Sequence, residues 1–525
     1  MTQNIIKKTI LIFVAGILWS SCTKDFEIIN TNPKAPVSTA PDLLLPGIIS
    51  SIVDSWGGFG GEEGLLVTQH AAEIQSTSTD TYSWVSESQP YATGYNTLRN
   101  IYNLINASQD SEGLSGYYGI GLILKALTYN FMTDVYGDIP YADAIKGRAD
   151  ANFFPEFTSQ KEIYNGMLSD LELANDVLSN DAVTITGDIL YAGDVNKWRK
   201  LSNSLRLRLL MRISDIDLQT AKAGIQDIVN NPDKYPVFGS NEDMAALQHN
   251  TENPPSRFFS RVGSFDGYRL SETLENRLKA MNDVRLKVFA QPITASEMDI
   301  YSDNWDDYEG MLNGLTAEES DLYSPTEDPE KSGSNYISKL GVLYACRECS
   351  EKASASAAQT IIMSFSEVAF LLAEATQRNF ITKKSAEVYY QDGIKASFDY
   401  YKERISVGGW TEIAKALENV DMNAYLSQEK VAFSGNIQED LNKIYLQKWI
   451  SQYYVGLEAW SNWRRTSQPK VIPGPGAVND KKVPVRFLYP IDVKSTNNEN
   501  YKKAVENMGG DTLNNRLWWD VLDNY

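Results

Sequence analysis

The sequence contains few residues of the types that most enzyme and metal sites need. Its 525 residues include 3 cysteines and 2 histidines, His70 and His249. A Ser-His-Asp triad and a tetrahedral zinc site therefore have few candidate members. The motifs HExxH, GxSxG and GxGxxG and the P-loop are absent. We expect a protein that is not an enzyme and that holds no cofactor or metal, although 68 acidic residues leave a glycosidase carboxylate pair as an alternative.

Positive charge is also scarce. The chain has 48 Lys and Arg against 68 Asp and Glu, which gives a formal net charge of −20 at pH 7. A field of this sign repels phosphate backbones and anionic headgroups. We therefore expect no nucleic-acid partner.

The first apolar run lies near the N-terminus and is short. Lys7 and Lys8 precede ten apolar residues, Ile10–Trp19, and Cys22 follows two serines. Ten residues are too few to span about 30 Å of hydrocarbon as a helix, so residues 1–21 are typical of a signal peptide. The stretch resembles a bacterial lipobox, which predicts lipidation of Cys22. The alternative is an ordinary signal cleaved nearby, which leaves Cys22 as a free thiol.

The rest of the chain divides into a tether and one domain. Residues 22–42 are polar and interrupted by prolines, so they predict an extended, lipid-anchored tether. Residues 43–525 are apolar and aromatic enough to form a single large domain. We expect no further membrane span, because Lys125, Glu367 and Glu374 interrupt the most apolar later windows.

The two remaining cysteines form a CxxC motif at Cys346 and Cys349. Such a pair can be a redox centre or half of a metal site, but no second CxxC accompanies it. We favour a local disulfide or two reduced thiols.

Helical periodicity dominates the chain. Apolar residues recur at helical spacing in four paired stretches, which predict helical hairpins around 91–135, 158–214, 361–402 and 437–465. Gly137 and Pro140 predict the end of the helix that precedes them. The predicted packing of these hairpins resembles that of tetratricopeptide repeats, although the 34-residue period is not continuous. A loop-rich part lies around 232–360, and its aromatic content favours a functional role.

Charged residues on these helices are predicted to support the frame. In KWRKLSNSLRLRLLMRIS, the apolar stripe leaves Arg199, Arg206 and Arg212 on the surface. Glu367 and Glu374 are seven residues apart and therefore share a helical face, from which they can pair with arginines across a hairpin.

Several motifs, in order along the chain, resemble those of the SusD/RagB family of surface lipoproteins. They are the lipobox followed by DFEIINTNPKAP, the helix end TDVYGDIPYADA, the Arg-rich helix above, SFSEVAFLLAEA, and LQKWISQYYVGLEAWSNWRRT with VPVRFLYP. INTNPKAP resembles the nutrient-binding branch of the family. The resemblance runs from the leader to the C-terminus.

The resemblance implies a mainly α fold, SusD-like, of irregular tetratricopeptide-type helical hairpins with a loop-rich ligand-binding part. It also implies a partner, a SusC-like TonB-dependent barrel transporter in the outer membrane. The ligand it implies is an oligosaccharide or, in the RagB branch, a peptide. Asp25 and Glu27 in CTKDFE resemble a short acidic export signal, which implies a protein that faces the cell exterior.

No binding residue transfers by motif, so the candidates come from the chemistry of sugar binding. Aromatic planes receive the C–H faces of a sugar, while amides and charged groups bind its hydroxyls, on loops held by a scaffold. Trp84 and Trp305 are the first candidates. The bland alternative is that loop aromatics pack back onto the domain. The full set of predicted ligand-binding residues is Tyr82, Trp84, Tyr91, Tyr268, Arg269, Asn304, Trp305 and Tyr308, beside the further loop residues Asp80, Phe265 and Tyr301.

These observations favour a cell-surface lipoprotein that captures oligosaccharide and delivers it to the transporter. Peptide uptake by the same architecture is the second interpretation. A surface glycosidase or an adhesin is less favoured.

Overall fold

The computed structural model describes residues 40–74, 77–86, 89–179, 184–249, 267–293, 300–321, 337–345, 357–522 and 524. The predicted signal peptide, the lipidation site Cys22, most of the tether, Phe265 and the CxxC pair Cys346 and Cys349 lie outside the described residues.

The first half of the chain is mainly helical and contains two short strands, one early and one late. A π-helical segment, Asp54–Phe59, joins α1 to α2, and a 3₁₀ turn covers Asn241–Asp243. The helices are α1 (Pro41–Val53), α2 (Gly60–Val67), α3 (Gln89–Ser108), α4 (Ser115–Tyr136), α5 (Gly147–Asp150), α6 (Gln160–Ser179), α7 (Val195–Arg212) and α8 (Leu218–Asn230); the strands are β1 (Ala71–Glu73) and β2 (Ala245–Gln248).

The second half begins with short elements and continues with long helices. A 3₁₀ turn covers Trp305–Asp307. The elements are β3 (Tyr268–Leu270), α9 (Glu272–Ala280), α10 (Leu286–Phe289), α11 (Ala317–Asp321), α12 (Val342–Ala345), β4 (Gln359–Met363), α13 (Phe365–Gln377), α14 (Ala386–Val407), α15 (Thr411–Glu418), α16 (Met422–Leu426), α17 (Ile437–Ser451), α18 (Glu458–Thr466), α19 (Ile491–Thr496) and α20 (Asn498–Asn507). The prediction of a mainly α fold is confirmed.

Consecutive helices pack side by side into one continuous core. In the first half α3 packs on α4, α4 on α6, α6 on α7 and α7 on α8. In the second half α13 packs on α14 and α17, and α13 also contacts α7. The strands form two antiparallel pairs, β1 with β3 and β2 with β4. The short strands therefore serve as clips between distant segments, while the helices supply the scaffold.

Helix α4 lies at the centre of the first half. Its residues are buried on every face, from Tyr117 to Tyr136 with few exceptions. It ends at Gly137, whose φ of 85° is strained for a residue with a Cβ, and the Gly137 amide donates to the Thr133 carbonyl at 2.8 Å. The glycine followed by Pro140 was a correct signal for this helix end.

The segment α1–α2, Pro41–Val67, is the one described helical segment that is long and apolar enough to cross a membrane. It was not predicted from the sequence. Its apolar residues Leu45, Ile48 and Ile49 are at most 1% exposed, and α1 packs against α3. We interpret it as a core helix of the domain, because its apolar face already has a protein partner.

Buried ion pairs join the two halves. Arg208 of α7 donates to both carboxylate oxygens of Glu367 of α13, at 2.7 Å each. Arg465 of α18 binds Glu374 in the same bidentate way, at 2.6 Å. Glu367 and Glu374 do pair with arginines, as predicted, but these belong to α7 and α18 and not to α14, the hairpin partner of α13.

The predicted surface position of two arginines is wrong. Arg206 and Arg212 are 6% and 2% exposed. Arg212 binds Asp134 of α4 at 2.7 Å and also pairs with Glu458 of α18. Helix α7 packs against α6 on one side and α13 on another, so its polar face is buried as well, with carboxylates in place as partners. Only Arg199 of the predicted set stays partly exposed.

Candidate functional site

Four segments meet beside the β1–β3 pair and carry four of the eight predicted binding residues, Tyr82, Trp84, Tyr268 and Arg269. We call residues 77–84, 268–271, 309–316 and 472–478 the loop junction. In the strand pair, Glu73 lies opposite Tyr268 and Ala72 opposite Arg269. The third segment continues this pairing, because the Met311 amide donates to the Leu270 carbonyl at 2.7 Å.

Asp80 joins the loop of Trp84 to Asn313 and Gly314, in the segment that follows the loop of Trp305. Its Oδ1 accepts from Asn313 Nδ2 and its Oδ2 accepts from the Gly314 amide, both at 2.8 Å. The Asp80 side chain is 1% exposed, so these bonds form away from water. The loop of Trp84 is therefore fixed to the segment that follows the loop of Trp305 in the chain.

The fourth segment of the junction, 472–478, was not predicted from the sequence. The Gly476 amide donates to the Gly314 carbonyl at 2.7 Å, and the Val478 amide donates to the Thr81 carbonyl at 2.9 Å. A Cβ at Gly474 would lie 1.8 Å from the Asn313 carbonyl oxygen. The glycines of VIPGPGAV permit this approach, and their alternation with proline was the available signal.

The junction contains two carboxyl groups close together. Glu73 Oε2 accepts from the amides of Thr79 and Asp80 at 3.0 Å, and the Glu73 amide donates to Asp80 Oδ2 at 3.3 Å. Burial raises the pKa of Glu73 to about 8, and the charge of Asp80 adds to that rise. Burial likewise raises the pKa of Asp80 to about 6. At neutral pH, Glu73 is therefore largely protonated beside an ionised Asp80.

Trp305 and Tyr301 form a small aromatic platform over Lys287. Lys287 Nζ lies 5.3 Å from the Trp305 ring centroid and 4.8 Å from that of Tyr301. Lys287 itself is 5% exposed, whereas both rings are half-buried. Burial lowers the pKa of Lys287, and Asp303 opposes this. The lysine supports the rings from below by cation–π contact and was not found from the sequence.

Asn304 and Tyr308 shape the platform loop. Asn304 is exposed, and its side chain caps the 3₁₀ turn by accepting from the Asp306 amide at 3.2 Å and donating to Asp307 Oδ1 at 3.1 Å. Tyr308 is fully buried, and its hydroxyl accepts from the Ser302 amide at 3.1 Å. Tyr308 thus folds the loop that presents Trp305 and is not itself available to a ligand.

Trp84 packs partly onto the domain. Its Nε1 donates to the Thr79 carbonyl at 2.9 Å, and its ring meets Trp460 and Phe487 edge to face, at centroid distances of 5.8 and 5.0 Å. The half-buried ring also lines a small cavity of about 110 Å³ with Glu63 among its walls. One edge of Trp84 therefore remains open to a ligand.

The other predicted residues fall into buried and partly exposed ones. Tyr82 and Arg269 are 2% and 1% exposed, so neither offers a surface contact, and Arg269 Nη1 donates to the Tyr268 carbonyl at 2.9 Å. Tyr91 is half-buried against Tyr95 and Tyr136. Tyr268 is half-buried at the strand pair. The accessible members of the predicted set are thus Trp84, Tyr91, Tyr268, Asn304 and Trp305.

The order of these elements can be compared with known families. Residues 33–490 match a family model, SusD-like, described as starch-binding and associating with the outer membrane. The chain belongs to the SusD-like family. A comparison with curated proteins finds no match.

Solved structures share the fold of this SusD-like protein over nearly its whole length. A SusD homologue from Bacteroides fragilis NCTC 9343 has a TM-score of 0.77 at 25% identity, covering 93% of this chain and 100% of its own. A chitin-binding protein has a TM-score of 0.75 at 27% identity, covering 92% and 100%. A chitin-binding SusD homologue from Flavobacterium johnsoniae has a TM-score of 0.71 at 22% identity, covering 92% and 100%.

Two larger clefts of the SusD-like domain contain none of the predicted residues. One, of about 700 Å³, lies between α8, α13 and α14 and includes Tyr235, Phe238 and Tyr389 with charges of both signs. The other, of about 820 Å³, lies between α9 and α17. Both were missed because the search for binding residues followed loop aromatics, whereas much of each wall comes from helices.

The two histidines have structural surroundings. His70 stacks on Trp449 at a centroid distance of 4.2 Å, and burial lowers its pKa to about 3. His249 Nε2 lies 2.8 Å from Thr360 Oγ1. Within the described ranges, no group of three or more His, Cys, Asp or Glu side chains is placed to hold a metal ion.

Proposed function

We propose that this SusD-like protein binds oligosaccharide on a surface centred on the aromatic platform of Trp305 and Tyr301. The observation that carries the proposal is the half-buried pair of rings held over the buried Lys287. A preformed platform loses little conformational entropy when a sugar stacks on it. Asn304, exposed beside the rings, supplies polar atoms to sugar hydroxyls.

The loop junction supports this proposal, because it holds the segment that directly follows the platform in the chain. Asp80 fixes the loop of Trp84 to Asn313 and Gly314, a few residues from the platform. Trp84 and the platform therefore lie on two loops of one scaffold, while Tyr91 lies in the first turn of α3. The family description, starch-binding, and the 27% identical chitin-binding relative both favour a glycan as ligand.

We further propose that the protein delivers its ligand to a SusC-like TonB-dependent transporter. Lipidation at Cys22 would anchor it in the outer membrane, facing the cell exterior. The family description as associating with the outer membrane supports the setting. In this function the protein binds without catalysis, so it should release glycans unchanged in length.

Titration of chitohexaose and maltohexaose by calorimetry, with Trp305→Ala, tests the proposed platform. We expect at least one of the two glycans to bind the parent protein, and Trp305→Ala to weaken that binding about ten-fold or more. Stacking of one aromatic ring is worth about 1 kcal/mol or somewhat more. The melting temperature should fall less than it would for a fully buried tryptophan, because the Trp305 ring is only half-buried.

Trp518→Ala is the matched control, since Trp518 is also half-buried but packs near Tyr164, in another part of the domain. It should leave glycan affinity unchanged. Trp84→Ala should lower both affinity and melting temperature, because that ring also packs on Trp460 and Phe487. Equal glycan affinity in Trp305→Ala and the parent would remove the platform from the site. Binding of peptides without glycans would favour the RagB-like alternative.

A further inference from the structure

The cleft between α9 and α17 has an unusual charge for this protein. We call it the α9–α17 cleft; its third wall is the turn at residues 468–470. Its volume of about 820 Å³ is within the range of small-molecule sites. Four cationic and two anionic side chains line it, whereas the whole chain has 48 cationic and 68 anionic residues. The cationic residues are Arg277, Lys430, Lys443 and Lys470; the anionic ones are Glu429 and Glu439.

The four cations have no carboxylate partner among the residues that the structure describes. Among the described residues, none of them has an ion pair within 4.0 Å. Arg277 instead donates to the carbonyls of Thr273 at 2.8 Å and Lys470 at 2.5 Å, and Lys443 donates to the Glu429 carbonyl at 2.9 Å. Carbonyl contacts orient these groups but leave their charge uncompensated. A concave wall with unpaired cations concentrates positive potential.

The position of Arg277 is fixed by several contacts. Its guanidinium lies 5.3 Å from the Trp449 ring centroid, and burial lowers its pKa to about 10, so it stays charged at neutral pH. Helix α9 is tied to the segment after the turn, because Gln69 accepts from Thr273 Oγ1 at 2.8 Å and donates to the Ile472 carbonyl at 2.6 Å. The cationic wall is thus preorganised.

The floor of the cleft is apolar. Met281 is buried, Phe433 and Leu446 are half-buried, and Pro469 is buried at the turn. An apolar floor below a cationic wall suits a ring with C–H groups on its face and a negative charge at its edge. Uronic acid units have this chemistry, since their carboxylate lies at the edge of a pyranose ring, and Arg and Lys bind carboxylates well.

We propose that the α9–α17 cleft binds the carboxylate-bearing units of an acidic oligosaccharide. The site is distinct from the aromatic platform, although the proposal rests on the proposed glycan-binding function for the nature of its ligand. Segment 470–478 runs from the cleft to the loop junction and can span at most about 29 Å when extended. One branched or extended glycan could therefore reach from the cleft towards the junction.

Calorimetric titration of the full-length protein with trigalacturonate, and with its methyl ester as the uncharged match, tests this. We expect trigalacturonate to bind and the methyl ester to bind at least about ten-fold more weakly. The double variant Lys430→Gln/Lys470→Gln should weaken trigalacturonate binding about five-fold, since two exposed ion pairs are lost. Raising NaCl to about 0.15 M should reduce the difference in trigalacturonate affinity between the parent and this double variant.

The control double variant is Lys161→Gln/Lys197→Gln, which changes the net charge equally away from the cleft. It should bind trigalacturonate as the parent does. Equal loss in both double variants would mean that only the overall field acts, and would overturn the proposal. Equal affinity for trigalacturonate and its methyl ester would also overturn the proposal. So would a higher affinity for an acetylated tripeptide with a free C-terminal carboxylate than for trigalacturonate.

These titrations also distinguish the α9–α17 cleft proposal from the aromatic platform proposal. Trigalacturonate binding that survives Trp305→Ala but falls in Lys430→Gln/Lys470→Gln supports the cleft independently of the platform. Neutral glycan binding that depends on Trp305, with no response to trigalacturonate, refutes the cleft and leaves the platform in place.

Discussion

The buried pair of Arg208 and Glu367 gives the sharpest stability prediction. Both side chains are 1% exposed, and the pair is bidentate with 2.7 Å bonds. Arg208→Met leaves the Glu367 carboxylate in the core without its main partner. Removing one member of a buried pair costs about 3–5 kcal/mol, because the remaining charge stays desolvated. We expect a loss of that size in the free energy of unfolding.

The double variant Arg208→Met/Glu367→Met should recover most of that loss. Replacing both members with apolar side chains of similar length removes the desolvation cost together with the attraction, and is often neutral or stabilising. The two variants therefore should not be additive. As a surface control, Lys415→Met removes one member of the exposed pair Lys415–Glu412 and should cost about 0–1 kcal/mol.

Equilibrium urea unfolding, followed by tryptophan fluorescence, measures these differences. The slope m grows with the surface exposed on unfolding, so we take about 5 kcal/mol/M for a chain of this size. A loss of about 4 kcal/mol then lowers the urea midpoint by about 0.8 M. A shift no larger than that of the surface control, or a double variant less stable than Arg208→Met, would show that the pair does not act as described.

Three further predictions concern pH, the loop junction and the anchor. The pKa of Glu73 rises from 4.5 to about 8 on folding, so the unfolded chain loses this proton at lower pH and stability falls as pH rises between these values. Glu73→Gln should therefore make the urea midpoint depend less on pH over that range, and an unchanged pH dependence would mean that other groups cause it. Gly474→Ala places a Cβ 1.8 Å from the Asn313 carbonyl oxygen, so it should cost about 1–3 kcal/mol and weaken glycan binding; Gly47→Ala, with open space around it, is the control in urea unfolding and titration. Cys22→Ala should move the protein from the membrane fraction to the soluble one, and retention after a salt wash would argue against a lipid anchor.

The helical frame was predictable because its signals are local. Apolar spacing along α13 and α14, and the glycine and proline after α4, depend only on neighbouring residues. The partners of Glu367 and Glu374 were also foreseen in kind, since two carboxylates on one apolar helix need cations when buried.

Two features could not be read from local patterns. The burial of Arg206 and Arg212 depends on how many helices surround α7, and a single apolar stripe predicts only one buried face. Lys287 lies 18 residues before Trp305 along the chain, with nothing in its immediate sequence to mark it as a support for aromatic rings. Each depends on the arrangement of segments in space.

The sequence located the binding loops only in part, because the burial of each ring also depends on the arrangement of segments in space. Aromatic content drew attention to Trp84 and Trp305, but it does not distinguish them from Tyr82 and Tyr308, whose rings are buried. Which ring turns inward is decided by backbone geometry, such as the positive φ of 59° at Tyr82. The segment 472–478 has no aromatic residue and escaped a search based on aromatics.

The loop junction also has a consequence for how the protein is made. Asp80 and Asn313 are separated by 233 residues, and Gln69 and Ile472 by 403. Such distant contacts close late in folding, because a long chain loop must be ordered first. A ribosome that has not yet released residues 472–478 therefore holds a chain without its junction. Ligand binding should therefore appear only once residues 472–478 are in place, and termination before them should yield helical fragments that lack the loop junction.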